Sequence, residues 1–215
     1  MPRLRKSSRE ESSKREINGW GAVARRQTEV KERMEEMQNR IREFWLKSGE
    51  SANIQFLQDE PYCFFAHNVK DKNGRWTVVP CQLNVQDTCT LCTQGVKQTW
   101  KAAFKILDLR GQWDKDKQRF IGGDPVEKIW TVGASVAQQL KQFIDRKGKN
   151  LTEMVIEVSR SGEGKDSTYN IGVAFDDEDR KIRPIEWEEK YPSCKEICTP
   201  PTDDEIDEND YHSEK

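Results

Sequence analysis

The sequence has no long apolar run. No stretch of its 215 residues approaches the roughly 18 apolar residues that a membrane-spanning helix requires, and no apolar segment follows Met1–Lys6 as in a signal peptide. We therefore expect a soluble, cytoplasmic protein with no membrane contact. Without an export signal, the six cysteines are more consistent with metal binding in a reducing compartment than with disulfides.

Apolar residues are also scarce overall. They make up 34% of the chain, charged residues make up another 34%, and the mean hydropathy is −0.95. This composition is too polar for one compact globule throughout, but the length allows one ordered domain of about 100–150 residues. We expect a flexible basic arm at 1–26, an amphipathic helix at 27–49, a folded core at 50–175 and an acidic, disordered region at 176–215.

Histidine is rare, but one of the two histidines precedes a group of cysteines. His67, Cys81, Cys89 and Cys92 have the spacing H-x13-C-x7-C-x2-C, and a C-x2-C pair can bind one ion from a tight turn. One imidazole and three thiolates suit tetrahedral zinc, and four ligands would close the site as in a structural metal centre. The alternatives are that the cysteines are a redox pair or free thiols and that His67 is an ordinary histidine.

The shortage of histidine also restricts catalysis. If His67 binds a metal, only the histidine in the tail remains, and no Ser-His-Asp or Cys-His arrangement can be assembled. A hydrolytic zinc site would need three ligands, an open position and a base such as Glu60. The four-ligand set argues against such a site, and we expect no enzymatic activity.

The hydrophobic period changes along the chain. Apolar residues at 30, 34, 37, 41, 44 and 45 predict a helix over Thr28–Lys47. Aromatic and β-branched runs predict strands at Asn53–Gln58, Tyr62–Val69, Arg75–Pro80, Ala102–Leu109, Glu127–Val132, Glu153–Arg160 and Ser167–Ala174. A capping box that begins at Ser135 predicts one helix among them, ending at Gly148. This order favours a mainly β (α+β) fold, an OB-fold-like five-stranded barrel with a metal-binding subdomain at about 61–98.

Charge is distributed unevenly. Residues 176–215 carry 15 acidic and 6 basic side chains, which leaves 23 acidic and 30 basic side chains in residues 1–175. In the basic part many aromatic residues stand beside cations, as expected where bases stack on rings and cations follow a phosphate backbone. The candidate stacking residues are Trp76, Phe104, Trp113, Trp130 and Tyr169, and the candidate phosphate contacts are Lys97, Lys101, Lys105, Arg110, Lys128 and Arg160.

These motifs resemble a known family. The zinc-containing core of the single-stranded DNA-binding (helix-destabilising) proteins of T-even phages is similar, in order and spacing, to Ile54–Leu57, Pro61-Tyr62, His67, Asn73–Trp76, Cys81 and Cys89-x-x-Cys92. A weaker similarity through Trp130-x-x-Gly133 and Tyr169 extends it over about residues 53–175. The resemblance implies an OB-fold that binds single-stranded DNA cooperatively beside a zinc subdomain. The four ligands named above would bind the zinc, and Trp130 and Tyr169 would face the DNA.

The resemblance also implies roles for both ends of the chain. The family's amino-terminal basic–Ser/Thr motif, through which neighbouring monomers associate along DNA, resembles Arg3, Arg5, Lys6, Ser7 and Ser8. Its acidic carboxyl-terminal region recruits replication and recombination proteins and shields the DNA cleft, a role that Asp203–Glu214 would fill. The sequence thus predicts a phage-encoded protein that coats single-stranded DNA during replication, recombination and repair. The alternative is a zinc-stapled adaptor that binds replication or transcription proteins without binding DNA.

Overall fold

The computed structural model describes residues 41–111, 113–114, 116–117, 119–120, 122–164, 167–175 and 180–211. Its strands are β1 (Arg42–Glu43), β2 (Ser51–Phe56), β3 (Tyr62–Lys70), β4 (Trp76–Pro80), β5 (Gln98–Asp108), β6 (Trp113–Asp114), β7 (Arg119–Phe120), β8 (Val126–Gly133), β9 (Val155–Ser161) and β10 (Thr168–Val173). Its α-helices are α1 (Thr90–Thr93), α2 (Ala134–Lys147), α3 (Cys194–Ile197) and α4 (Asp203–Asn209), and 3-10 turns lie at Gln82–Asn84 and Leu151–Glu153. The predicted strands are therefore all present, with ends shifted by a few residues.

The main sheet is built around β5. Hydrogen-bonded strands follow the order β1-β8-β5-β2-β9-β10, while β3 pairs with the first half of β5 and β4 pairs with β3. All of these pairs are antiparallel except β1 with β8, and β6 and β7 form a separate small hairpin. The predicted mainly β class is confirmed. The described strands form an open multi-stranded sheet, and the closed OB-fold-like barrel is not confirmed.

The two faces of β5 belong to different parts of the protein. Because side chains alternate along a strand, Ala102, Phe104 and Ile106 point to one face, where α2 completes a core with Val136, Leu140 and Phe143. Ala103 and Lys105 point to the other face, where Cys194 and Cys198 cover Ala103. The second half of β5 is thus buried on both faces.

Helix α2 begins differently from the prediction. It starts at Ala134 directly after β8, so Gly133 is its N-cap and no side chain caps it, and the capping box at Ser135 is wrong. The chain has no room for a separate cap because the last residue of the strand is also the helix boundary. The predicted end is confirmed, since Gly148 has a φ of 61° and its N–H bonds to the Ile144 carbonyl.

The end of the predicted helix Thr28–Lys47 is extended rather than helical. Arg42 and Glu43 form β1 and pair with β8, and the Phe44 N–H bonds to the Ile129 carbonyl at 2.7 Å. Phe44 and Leu46 are buried while Trp45 between them is 57% exposed, which is the alternation of a strand. The rest of that helix and the predicted arm at 1–26, with Arg3, Arg5, Lys6, Ser7 and Ser8, lie outside the described residues.

The described part of the acidic region is folded, so its prediction as a disordered tail is wrong for residues 180–211. Capping boxes open both of its helices, from Ser193 with Glu196 and from Thr202 with Glu205. Cys194, Cys198 and Ile206 are buried against the rest of the protein. In the part of the chain that the structure describes, no helix has the length and apolar character needed to cross a membrane.

Candidate functional site

Four potential metal ligands come together from three neighbouring elements. His67 lies on β3, Cys81 follows β4, Cys89 is the N-cap of α1 and Cys92 lies within α1. The β3–β4 hairpin brings His67 close to Cys81 because their chain segments pair, with Ala66 opposite Pro80. The predicted ligand set is therefore assembled at one place, and it could hold a metal ion.

The distances within this cluster fit a tetrahedral ion. The ligand atoms all lie within 4.8 Å of one another. Cys89 Sγ and Cys92 Sγ lie 3.4 and 3.7 Å from His67 Nε2, and Cys81 Sγ lies 3.7 Å from Cys92 Sγ. Tetrahedral zinc with bonds of about 2.3 Å to sulfur and 2.0–2.1 Å to nitrogen would give edges of about 3.8 and 3.6 Å. An ion would therefore fit with little movement of these side chains.

Neighbouring groups orient the ligands. The Lys97 carbonyl lies 3.3 Å from His67 Nδ1 and accepts its proton in the tautomer that turns the Nε2 lone pair toward the sulfurs. The Gln98 side-chain amide donates to Cys81 Sγ at 3.1 Å and to Cys92 Sγ at 3.2 Å. Sequence reasoning missed both partners, because Lys97 directly precedes β5, Gln98 is its first residue, and both approach the cluster only through the pairing of β5 with β3.

The protonation states of the ligands differ, and those of His67 and Cys89 suit a cation. Burial lowers the pKa of His67 and so keeps the imidazole neutral. Burial raises the pKa of Cys81 to about 11. Burial would also raise the pKa of Cys89, but hydrogen bonds from the backbone N–H groups of Cys92 and Gln82 outweigh it and lower this pKa. Cys89 therefore loses its proton more readily than Cys81, and a bound cation would favour loss of the Cys81 proton.

Helix α4 docks on the paired residues 66–80 of the β3–β4 hairpin, the turn Gln82–Asn84 and α1, which together we call the metal module. The Gln82 amide donates to Asp203 Oδ1 at 2.9 Å and to the Pro201 carbonyl at 3.1 Å, and Thr90 also donates to Asp203. At the other end of α4, the Lys72 N–H bonds to the Asn209 carbonyl at 2.9 Å. Ile206 is buried in one cluster with the apolar and cysteine side chains of the module. Part of the acidic region thus depends on the metal module for its position.

The predicted phosphate contacts have different environments. Lys105 is buried, pairs with Glu189 and donates to the Tyr191 carbonyl. Lys97 is exposed and Lys101 is half-buried. Arg110 and Lys128 both bind the fully buried Asp108, at 2.8 and 2.7 Å. In this conformation Lys105, Arg110 and Lys128 are neutralised by carboxylates, which leaves Lys97, Lys101 and Arg160 as the more available cations.

Arg160 lies beside a tryptophan that sequence reasoning assigned to a helix. Its guanidinium carbon is 5.7 Å from the centre of the Trp45 ring, and its Nη1 donates to the Leu46 carbonyl at 2.8 Å. Its Nε is buried and has no hydrogen-bond partner among the described residues. Arg110 approaches the same segment, with its guanidinium carbon 5.3 Å from the Phe44 ring. We call Trp45, Arg110 and Arg160 the Trp45 surface.

The predicted stacking residues fall into three groups. Phe104 and Trp130 are core residues, each 2% exposed, so the structure contradicts their prediction as open stacking positions. Tyr169 is half-buried, with its ring centre 5.9 Å from that of Trp130. Trp76 is 58% exposed and has the Lys70 amine 5.2 Å from its ring centre. The side chain of Trp113 lies outside the described part.

Comparison with known proteins adds no identification. No protein-family model matches this chain, and no curated protein is significantly similar to it. The family resemblance therefore stays a prediction, and the function has to be inferred from the sites themselves.

Proposed function

We propose that this protein binds single-stranded DNA. The observation that carries the proposal is the Trp45–Arg160 pair, an exposed indole whose ring centre lies 5.7 Å from a half-buried guanidinium. A base can stack on the exposed part of the ring while the guanidinium binds the adjacent phosphate. The exposed Trp76 with Lys70 is a second pair of the same kind.

The wider role follows from the family resemblance. The protein would coat single strands cooperatively, by self-association along the DNA, in replication, recombination and repair, in the cytoplasm of a phage-infected host cell. Its acidic carboxyl-terminal region would bind replication and recombination proteins. It would have no enzymatic activity, because four protein ligands fill a tetrahedral metal site and leave no position for a reacting water.

We further propose that the metal is zinc and that its role is structural. Three sulfur donors and one imidazole nitrogen suit zinc better than magnesium or calcium, which prefer oxygen. His67, Cys81, Cys89 and Cys92 would join the β3–β4 hairpin, the turn after it and α1 into one unit. This unit in turn supports α4.

The test is a titration of intrinsic tryptophan fluorescence with oligo-dT, and the variant that checks the site is Trp45→Ala. Loss of one stacking ring is worth about 1–3 kcal/mol, so affinity for oligo-dT is expected to fall by about 5- to 150-fold. Wild-type binding should be accompanied by quenching and should weaken as salt rises, because phosphate contacts release counterions. Duplex DNA should bind much more weakly.

The matched control is Phe65→Ala, which removes an exposed ring from β3, next to the metal module. It should bind oligo-dT like the wild type. A Trp45→Ala protein that is folded and binds with unchanged affinity would contradict the proposed site. Wild-type protein that shows neither quenching nor binding with any nucleic acid would favour the adaptor function instead.

Deletion of Pro200–Lys215 is expected to tighten oligo-dT binding at low salt, because the segment carries seven acidic side chains and one basic one. The effect should shrink as salt screens the charges. The deletion also uncovers the metal module, so a second variant is needed. Changing Asp204 and Asp207 to Asn removes two charges but keeps the docking contacts of Asp203, and it therefore tests the effect of charge without loss of docking. Equal or weaker binding by both variants would argue against shielding by the tail.

A further inference from the structure

A basic cavity lies away from the metal module and the Trp45 surface. Its volume is about 1060 Å³, and it is formed where the end of α2 and the start of β9 meet residues 180–184. Five cations line it, namely Lys147, Lys149, Arg180, Lys181 and Arg183. The only acidic residue among the described lining residues is Glu153. The cavity therefore carries a concentrated positive charge.

Three of the five cations have no carboxylate partner among the described residues. Lys149, Lys181 and Arg183 form no ion pair with any of them. Glu153 is engaged elsewhere, because its carboxylate accepts the Asn150 N–H at 3.1 Å in a capping box. Positive charges that line a concave site raise the local concentration of anions there.

The position of these cations in the sequence is unusual. Residues 176–215 contain six basic side chains, and three of them fall within 180–183. Residues 176–179, Asp-Asp-Glu-Asp, come directly before them in the chain. Three basic residues are thus concentrated within four positions of an otherwise acidic region.

The apolar side chains that line the cavity indicate what kind of anion fits. They belong to Met154, Val155, Val173 and Ile182, of which the first two are buried. Apolar side chains beside cations suit a ligand with both phosphates and planar bases. The volume is at the upper end of the range for small-molecule sites, about 300–1,000 Å³, so there is room for more than one nucleotide.

We propose that this cavity is a second contact site for single-stranded nucleic acid. The phosphodiester groups would bind its cations, and a base would pack against its apolar side chains. This inference rests on the proposed function and extends it. The strand would bind the Trp45 surface by stacking and this cavity mainly through phosphates. Binding would then combine one contact that quenches fluorescence with one that depends strongly on salt.

The test is the double variant Lys149→Gln with Arg183→Gln, measured by anisotropy of labelled oligo-dT over a series of salt concentrations. Each lost phosphate contact reduces the magnitude of the slope of log K against log salt by about 0.7 for single strands. The slope of the double variant should therefore be smaller in magnitude by about 1.4. Affinity at low salt should fall about tenfold or more. The quenching at saturation should stay as in the wild type, because Trp45 lies outside the cavity.

The control is Lys141→Gln with Lys195→Gln, which removes the same charge from exposed side chains that do not line the cavity. A cavity variant with the affinity and salt slope of this control would overturn the inference while leaving the proposed function intact. Wild-type protein that does not bind oligo-dT would instead overturn the proposed function.

Free nucleotides could supply the same chemistry as a strand, and dTTP is the probe that distinguishes them. If the cavity binds a strand, dTTP should compete with oligo-dT only weakly. If dTTP binding depends on Lys149 and Arg183 while oligo-dT binding does not, the site serves free nucleotides and the inference is overturned.

Discussion

Replacing Cys89 by serine is expected to abolish stoichiometric metal binding and to lower the melting temperature by about 10 °C or more. Cys89 is the thiol whose pKa is lowered, and its Sγ lies 3.4 Å from His67 Nε2. Without it the remaining ligands cannot close a tetrahedral site, and the free energy that metal binding contributes to folding is lost. Metal content by mass spectrometry and thermal unfolding are the measurements.

The same change should loosen the carboxyl-terminal helix. Ile206 packs in one cluster with Cys89 and Leu91, and Thr90 donates to Asp203. Amide hydrogen exchange in α4 should therefore accelerate in the Cys89→Ser protein, well before global unfolding. This readout tests whether the metal module positions part of the acidic region.

Cys63→Ser is the matched control, because Cys63 is an exposed free cysteine on the same strand as His67. It should retain the metal and change stability by no more than about 0.5 kcal/mol. Full metal content in the Cys89→Ser protein would show that the ligand set is wrong. Loss of metal from both proteins would show that the loss is not specific to the site.

The cluster of candidate metal ligands was predictable from sequence because its residues are close along the chain and their chemistry is distinctive. Strands were predictable for a related reason, since the alternation of side chains is a local pattern. The exposure of Trp45 was not predictable, because it depends on the pairing of β1 with β8, whose partner residues are more than 80 positions away. The apolar spacing before it matched a helix equally well.

The burial of individual aromatic residues could not be predicted from the sequence either. Phe104 and Trp130 stand beside cations in the chain, but alternation sends Phe104 to the core and Lys105 to the opposite face. The folding of α4 was missed because Ile206 is the single apolar residue of this helix among charged ones. Its burial depends on a surface that the distant metal module supplies.

The second large effect is expected from Asp108→Asn, which removes the negative charge from the most buried ion-pair group described. Asp108 binds Lys128 at 2.7 Å and Arg110 at 2.8 Å, and its side chain has no exposed surface. Those cations are 12% and 13% exposed, so the change leaves two nearly buried charges without their nearest carboxylate, while Glu50 stays 3.7 Å from Arg110. The free energy of unfolding in urea at pH 7 should fall by about 3–5 kcal/mol.

The pH dependence gives this prediction a second check. Burial would raise the pKa of Asp108, but hydrogen bonds from Arg110 and Lys128 outweigh it and lower the pKa below its ordinary value. A lowered pKa contributes stability above the unfolded-state pKa of about 3.9, and that contribution is lost as the pH falls toward the folded-state pKa. The difference in the free energy of unfolding between the wild type and Asp108→Asn should therefore be largest at neutral pH and should shrink below about pH 4.

Asp145→Asn provides the comparison, because Asp145 pairs with Lys141 across one turn of α2 and both side chains are mostly exposed. Exposed pairs of this kind contribute about 0.3–0.5 kcal/mol, so the free energy of unfolding of this variant should be close to that of the wild type. Equal effects of the two substitutions would mean that Asp108 is accessible to water in solution. A large effect of Asp108→Asn alone, together with weaker oligo-dT binding in the folded variant, would show that the buried carboxylate holds Arg110 in place beside the Trp45 segment.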